Sequence, residues 1–554
     1  MISKQNKKIL IIFIVIWIMV GISTFTLAAK NDGKAKNEKE LLSQTAGFGN
    51  DRNSKGSNYY ESLRIFGEVL SKINSNYVEE KDSQVLIDSA IEGLLEELDP
   101  HTTYFHPDDF NDFRTSTKGK FGGLGISISK QDDYITVIAP IEGTPAYRMG
   151  IMAGDKISKV DGESVKGVST DKAIKKMRGP KGTKVIISII RPGVDNELDF
   201  EITRDIIEIK SIPYAFRMDN GIGYIRISQF NANTTKELNE NLDGLEEKGL
   251  NGLILDLRSN PGGLLNEAVD TLNEFLGPDK RVVFTKGKMR TANTEYVTKY
   301  NRQREDYPII VLINEASASA SEIVAGSIQD YDRGLVLGKT SFGKGSVQQL
   351  YPLTGGYGIK VTVAKYYIDS GRCIHKDVND KLLKGEKVSE EEKADLKEQN
   401  DDKIYHTQKG REVHGGGGIK PDIEIKQDLL TDLGVEIRRK NLLFKYSIDF
   451  MTNHGDEISE DWRADDDEIA KFIEYAKEDS VEFTEATIDS TYSWMKRSVS
   501  SNIISRKFGR QAGYKISIVD DPQFNAAVEI FENYKSLDEM FEYAVKQKGK
   551  KDDK

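Results

Sequence analysis

The chain has 554 residues, enough for several domains that each bury a core, with 30% charged and 38% hydrophobic residues and a formal net charge of −11. No basic block longer than a few residues breaks that acidity, which excludes a nucleic-acid groove. Its single cysteine, Cys373, excludes an intrachain disulfide. At the N-terminus Lys4, Lys7 and Lys8 precede an apolar run from Ile9 to Val20 that continues weakly to Ala29. Basic residues ahead of an apolar stretch make an export signal, and about 20 apolar or small residues span a bilayer. Residues 1–29 are read as an uncleaved signal-anchor rather than a signal peptide cleaved after Leu27-Ala28-Ala29. No cysteine follows, which excludes a lipoprotein anchor. Residues 30–58, rich in Lys, Asn, Gly, Ser and Glu, read as a disordered linker.

A helical region is expected over 59–115. Leu63, Ile65, Phe66, Val69, Leu70 and Ile73 give it an amphipathic face, and a second helix from Val85 to Leu98 stops at Asp99-Pro100. His101 and His106 lack the partners that complete a metal site and are assigned to loop packing or capping. From about Lys120 to Asp205 the pattern turns to short strands and tight turns. Gly122-Gly123-Leu124-Gly125-Ile126-Ser127-Ile128 is a glycine turn running into an alternating strand. Adjacent amides in such a turn form an anion nest suited to a peptide carboxylate, and the strand offers an edge for β-augmentation. Thr144-Pro145-Ala146 opens a helix, Val160-Asp161-Gly162 makes a tight hairpin, and Thr170 to Met177 is a second helix. This order resembles a PDZ domain of the circularly permuted bacterial type over 116–205, with Gly123, Leu124, Gly125 and Ile126 as its peptide-binding residues. The basic loop Arg178 to Thr183 is a candidate coupling between that domain and the core, or a solvated turn.

Residues 206–425 alternate strands and helices, the pattern of an α/β core. Gly223 to Ile227 is a strand, Thr235 to Glu247 a helix, and Gly252 to Leu257 a buried strand. That strand ends in Arg258-Ser259-Asn260-Pro261-Gly262-Gly263 before a helix from Leu265 to Phe275. The apolar strand Ile309 to Ile313 leads into the small-residue turn 316–321, a helix from Glu322 to about Tyr331, the strand Leu335 to Leu337 and the loop Gly343-Lys344-Gly345. A serine at a strand-to-helix turn is well placed as a nucleophile, because the helix N-terminus has free N–H groups for an oxyanion. It needs a base, and a lysine kept neutral by desolvation is one. Ser317, Ser319 and Ser321 are all candidates on this ground alone. A packing turn and an exposed Gly-Lys-Gly loop are the plainer readings.

Ser319-Ala320-Ser321-Glu322-Ile323, Phe342-Gly343-Lys344-Gly345 with Val347-Gln348, and Asp256-Leu257-Arg258 through Gly263 together resemble the C-terminal-processing (tail-specific) serine peptidases. Leu98-Asp99-Pro100-His101-Thr102-Thr103-Tyr104 and the Gly-Gly-Ile-Lys-Pro-Asp run ending at Asp422 extend the resemblance, which covers roughly residues 60 to 425. It implies a crotonase/ClpP-like α/β peptidase core with an inserted PDZ domain and helical N- and C-terminal regions. It further implies Ser319 as nucleophile, Lys344 as general base and Gln348 as the residue orienting that lysine. The oxyanion hole would come from the Ala320 amide and one of the Gly262 and Gly263 amides. Neither metal nor organic cofactor is needed.

Its expected substrates are proteins with unstructured C-termini. A homodimer or higher oligomer and an adaptor or activator protein are compatible partners. With the N-terminal segment, the resemblance implies an enzyme anchored in the inner membrane of a bacterial cell envelope, its catalytic domain periplasmic or otherwise extracytoplasmic. The rivals are a PDZ adaptor on an inactive peptidase scaffold and a crotonase-like acyl-transfer enzyme. The charged stretch 376–405 reads as a solvated surface insertion. Cys373 reads as a small strand residue rather than a nucleophile paired with His375. Residues 426–554 read as a helical domain used for packing or dimerisation, with apolar faces over Asp467 to Ala476 and Phe524 to Leu537.

Overall fold

A computed structural model describes residues 59–552 except 132, 142, 193, 300–303, 305–306, 377–380, 382–402 and 427–429. The N-terminal apolar run, the linker 30–58 and nearly all of the insertion 376–405 lie outside the described residues. Among the described residues no helix is long and apolar enough to cross a membrane. The described residues divide into two compact units, with the boundary between Asp88 and Ser89. In the first, the helix Tyr59–Asn76 buries none of its residues. Leu63, Ile65, Phe66, Val69 and Ile73 of its apolar face are exposed.

At the centre of the second unit is a six-stranded sheet in the order Tyr214–Arg217, Ile222–Arg226, Gly252–Asp256, Ile309–Ile313, Gly334–Gly338, Ile423–Glu424. The first pair is antiparallel and the others are parallel. Every residue of Gly252–Asp256, Ile309–Ile313 and Gly334–Gly338 is buried, as parallel strands covered on both faces must be. Leu238, Leu242, Leu272, Ile323 and Ile328 from three helices pack on one face. Ile518, Phe524, Ile530, Phe531, Met540 and Phe541 from the C-terminal region cover the other. The helices from Asp432–Arg439 to Glu485–Phe508 instead gather around their own core, which includes Ile437, Phe472, Met495 and Ile503.

The apolar face read from Phe524 to Leu537 belongs to two helices, Pro522–Asn533 and Leu537–Asp552. The Glu539 carboxylate accepts the Lys535 and Ser536 amides, and Ser536 Oγ accepts the Glu539 amide. This S-x-x-E capping box starts a new helix.

A second, antiparallel sheet sets the strand Gly358–Ile368 between Ser346–Pro352 on one edge and Thr103–Phe105 and Arg281–Gly287 on the other. Thr103–Phe105 is therefore a strand inside the region expected to be helical. The PDZ-like segment forms its own sheet, Ile126–Gln131, Tyr134–Pro140, Lys156–Val160, Lys184–Ile190, Leu198–Thr203, with helices Pro145–Arg148 and Thr170–Met177. Asp161 and Gly162, at φ 50° and 78°, close its hairpin, as a two-residue type I′ turn requires. Lys120–Gly123 pairs with Asp205–Glu208, so entry and exit lie side by side and the domain is an insertion.

Candidate active site

Two turns leave the carboxyl ends of neighbouring parallel strands, where α/β sheets place their sites. One follows Gly252–Asp256 and holds Asn260, Gly262 and Gly263; the other follows Ile309–Ile313 and holds Ser317, Ser319 and Ser321. Asn260 joins them. Its carbonyl accepts the Ala318 amide at 3.0 Å and Ser321 Oγ at 3.0 Å, and Ser317 Oγ donates to Leu257 O at 2.9 Å. Ser317 and Ser321 are buried pins, and Ser319 alone of the three is partly exposed.

Ser319 has φ 55° and ψ −112°, a conformation that costs an L residue about 1–3 kcal/mol and persists only where its surroundings over-determine it. Glu322 and Tyr366 do so. Glu322 Oε2 accepts the amides of Ser319 at 2.8 Å and Lys344 at 2.9 Å. Its Oε1 accepts the Gly343 amide at 2.7 Å and the Ser341 hydroxyl at 2.5 Å. The Tyr366 hydroxyl lies 3.2 Å from Ser319 O and 2.5 Å from Lys344 O. The backbones of Ser319 and Lys344 are thus tied to the same two side chains. Burial raises the Glu322 carboxyl to about 7, and hydrogen bonds from Ser341 and the three amides keep it from rising further. Burial also lifts the Tyr366 hydroxyl well above its usual range, with the Glu322 charge adding to it, so it stays protonated.

The Gly262 amide donates to Asn260 Oδ1 at 2.8 Å. Among the described residues neither the Gly263 amide nor the Ala320 amide at the head of the helix Ala320–Asp330 has an acceptor. A Cβ on Gly262, at φ 97°, would lie 2.7 Å from Ala318 O, 2.8 Å from Ser319 Cβ and 2.9 Å from Ala320 N. Gly262→Ala is therefore expected to lower kcat/KM by about 100-fold, since misplacing reacting groups by about 1 Å has that effect; initial rates against wild type measure it. Arg258 braces the turn from below. Its guanidinium meets Asp256 at 2.7–3.1 Å, and its Nη1 lies 2.7 Å from both carboxylate oxygens of Asp521.

Lys344 and Gln348 are half-buried. Gln348 Nε2 donates to Ser346 Oγ at 2.9 Å and to Thr362 Oγ1 at 3.4 Å. His375 packs behind the lysine loop, its Nδ1 accepting the Gly345 amide at 3.4 Å, and Cys373 bridges to Tyr367. His106 packs against the rings of Tyr104 and Tyr357. Gly123, Leu124, Gly125 and Ile126 line a cleft of about 160 Å³ with Ile174 and Met177. Gly125, at φ 79°, has no room for a Cβ, which would fall 2.3 Å from the Thr144 side chain. At the cleft's rim Arg178 lies over the Phe121 ring and donates to Asp112 at 2.8 Å.

Glu322, Asn260 and Tyr366 are the site residues that the sequence reading gave no task. Glu322 had a signal, because Ser319-Ala-Ser-Glu322 has the capping-box spacing. Tyr366 had none, since its role depends on two loops meeting.

A PDZ domain family model matches residues 115–190, and the model of peptidase family S41 matches residues 221–381. A carboxy-terminal-processing protease of Bartonella bacilliformis is 41% identical over 338 residues, 60% of this chain and 76% of that one. Carboxy-terminal processing protease CtpA of Bacillus subtilis is 32% identical over 449 residues, 81% of this chain and 89% of that one. A solved photosystem II D1 C-terminal processing protease aligns at 27% identity over 56% of this chain and 90% of that chain, with a TM-score of 0.32. The chain is a serine-type peptidase carrying a PDZ domain. It belongs to peptidase family S41, among the carboxy-terminal-processing proteases.

Proposed function

We propose that the protein is an endopeptidase that takes unstructured C-termini into the PDZ cleft and cuts them with a Ser319–Lys344 dyad. The observation that carries this reading is the shared tether of Ser319 and Lys344 on Glu322 and Tyr366. Ser319 Oγ attacks the scissile carbonyl and its proton passes to Lys344 acting as a neutral amine. The tetrahedral oxyanion is held by the Ala320 amide and by Gly263, the glycine amide not already donated to Asn260. Collapse expels the amine, which takes the proton back from Lys344. Water, deprotonated by the same lysine, then releases the acyl group. Gln348 orients Lys344 throughout.

The cleft at Gly123 to Ile126 holds the substrate carboxylate on its turn amides and pairs the chain with the strand Ile126–Gln131. Lys4, Lys7 and Lys8 ahead of Ile9 to Val20 support membrane tethering with the catalytic domain outside the cytoplasm. The test incubates the full chain with one unstructured peptide in two forms, its C-terminus free or amidated, and reads products by mass spectrometry. The free form is expected to be cut at least about 10-fold faster, the effect of losing a charge-assisted set of hydrogen bonds. Equal rates would overturn capture by the cleft, and cutting that survives Ser319→Ala would overturn the site.

A further inference from the structure

Asp99 stands far from both turns in sequence, and the mechanism above gives it no task. Its carboxylate accepts the amides of His101 at 2.9 Å and Thr102 at 3.1 Å, the Thr102 hydroxyl at 2.8 Å and the Thr362 hydroxyl at 3.0 Å. Burial raises this carboxyl, but those hydrogen bonds outweigh it and hold it below the ordinary range. It is therefore a carboxylate, and a carboxylate only accepts. Thr362 must spend its one hydroxyl proton on Asp99, which leaves its oxygen able only to accept in turn.

Thr362 sits directly opposite Gln348 in the ladder between the strands Ser346–Pro352 and Gly358–Ile368. Gln348 Nε2 donates one bond to Thr362 Oγ1 at 3.4 Å and one to Ser346 Oγ at 2.9 Å. Both amide hydrogens are thereby used and one of the two amide orientations is selected. The group left for any further partner is the carbonyl Oε1, an acceptor, which is what an amine or ammonium N–H requires.

We propose that Asp99, acting through Thr362, is a positioning residue that fixes the Gln348 amide with its carbonyl oxygen presented to Lys344. The inference rests on the reading of Gln348 as the residue that orients Lys344. Asp99 also closes its own turn through the His101 and Thr102 amides, a local structural task that a fold alone would explain. The relay adds a polarity. If Thr362 had no acceptor in Asp99, its proton would be free to face Gln348, and the amide would no longer be held with one face outward.

The test measures kcat, KM and melting temperature for the full chain on an unstructured peptide with a free C-terminus. Thr362→Val keeps the shape, the strand and the Thr362 amide, and removes only the hydroxyl. It is expected to lower kcat about 10- to 100-fold, the usual effect of losing a partner that orients a reacting group, with KM unchanged. Thr362→Ser is expected to restore kcat to within about twofold of wild type, since it returns the hydroxyl. Asp99→Ala, which removes the acceptor of the Thr362 hydroxyl, is expected to lower kcat in the same way, with the lost turn bonds read separately in its melting temperature. In a Gln348→Ala background Thr362→Val is expected to cost nothing further, because residues that act through one another are non-additive. Wild-type kcat in Thr362→Val, or an additive loss in the double variant, would overturn the relay while leaving Gln348 its role. Full kcat in Gln348→Ala alone would remove that role and the relay with it.

Discussion

Ser319→Ala in the full chain is expected to lower peptide cleavage by at least about 10⁴-fold, and Lys344→Met is expected to fall as far. The two effects should not add, because a nucleophile and its base act as one unit. The double variant is therefore expected to match either single one. Lys344→Arg separates a base from a mere positive charge. A guanidinium keeps its proton at any working pH and presents a planar fork rather than a single donor. It is expected to be as inactive as the methionine variant. Steady-state rates with product masses measure all four. Activity within about 10-fold of wild type in Lys344→Arg would remove the lysine from proton transfer.

Glu322→Gln is expected to lower both activity and stability, from one cause. The carboxylate accepts four hydrogen bonds, three of them from the backbone amides of Ser319, Gly343 and Lys344. An amide side chain replaces one acceptor with a donor, which then faces donors it cannot satisfy. Unmade buried hydrogen bonds cost about 1–3 kcal/mol each, so a loss of about 2–4 kcal/mol is expected by denaturant unfolding. A loss of about 100-fold in kcat is expected with it, because the side chain that loses an acceptor is the one that ties the Ser319 and Lys344 backbones together.

The same residue sets a pH dependence of stability. Burial raises the Glu322 carboxyl from 4.5 to about 7 in the native state. The native protein therefore holds this proton more tightly than the unfolded chain. The associated stability is fully present below about pH 4.5 and is lost as pH rises to about 7, amounting to about 3 kcal/mol. Glu322→Gln removes that slope. Unfolding free energies of the two proteins at several pH values should differ most at the acid end and level off above neutrality.

Much of the fold was legible because its elements are locally self-consistent. Ile309–Ile313 and Gly252–Asp256 are unbroken apolar runs that only a doubly covered strand explains. Asp161-Gly162 is a hairpin turn by its chemistry, and the helix Thr170–Met177 is announced by Ser169, whose side chain accepts the Lys172 amide. The three site motifs were legible as motifs, but not what holds them together. Thr362 reaches Asp99 across 263 residues of sequence, and no local pattern encodes such a pairing. Thr103–Phe105 was hidden for the same reason. Three residues become a strand only because Gly358–Lys360 lies beside them. The break between Asn533 and Leu537 was readable, since Ser536-Leu-Asp-Glu539 is a capping box, but the apolar spacing that runs through it concealed it.

The central sheet is finished by residues made long after the turns it supports. Its four inner strands and both glycine and serine turns have left the ribosome before Phe524, Phe531, Met540 and Phe541 exist to cover their second face. Asp521, which grips Arg258 beneath the glycine turn, arrives equally late. During synthesis the strands therefore carry a bare apolar face and the glycine turn lacks its brace. The cover of the sheet's second face and the brace of the glycine turn are thus supplied only after both turns have been made.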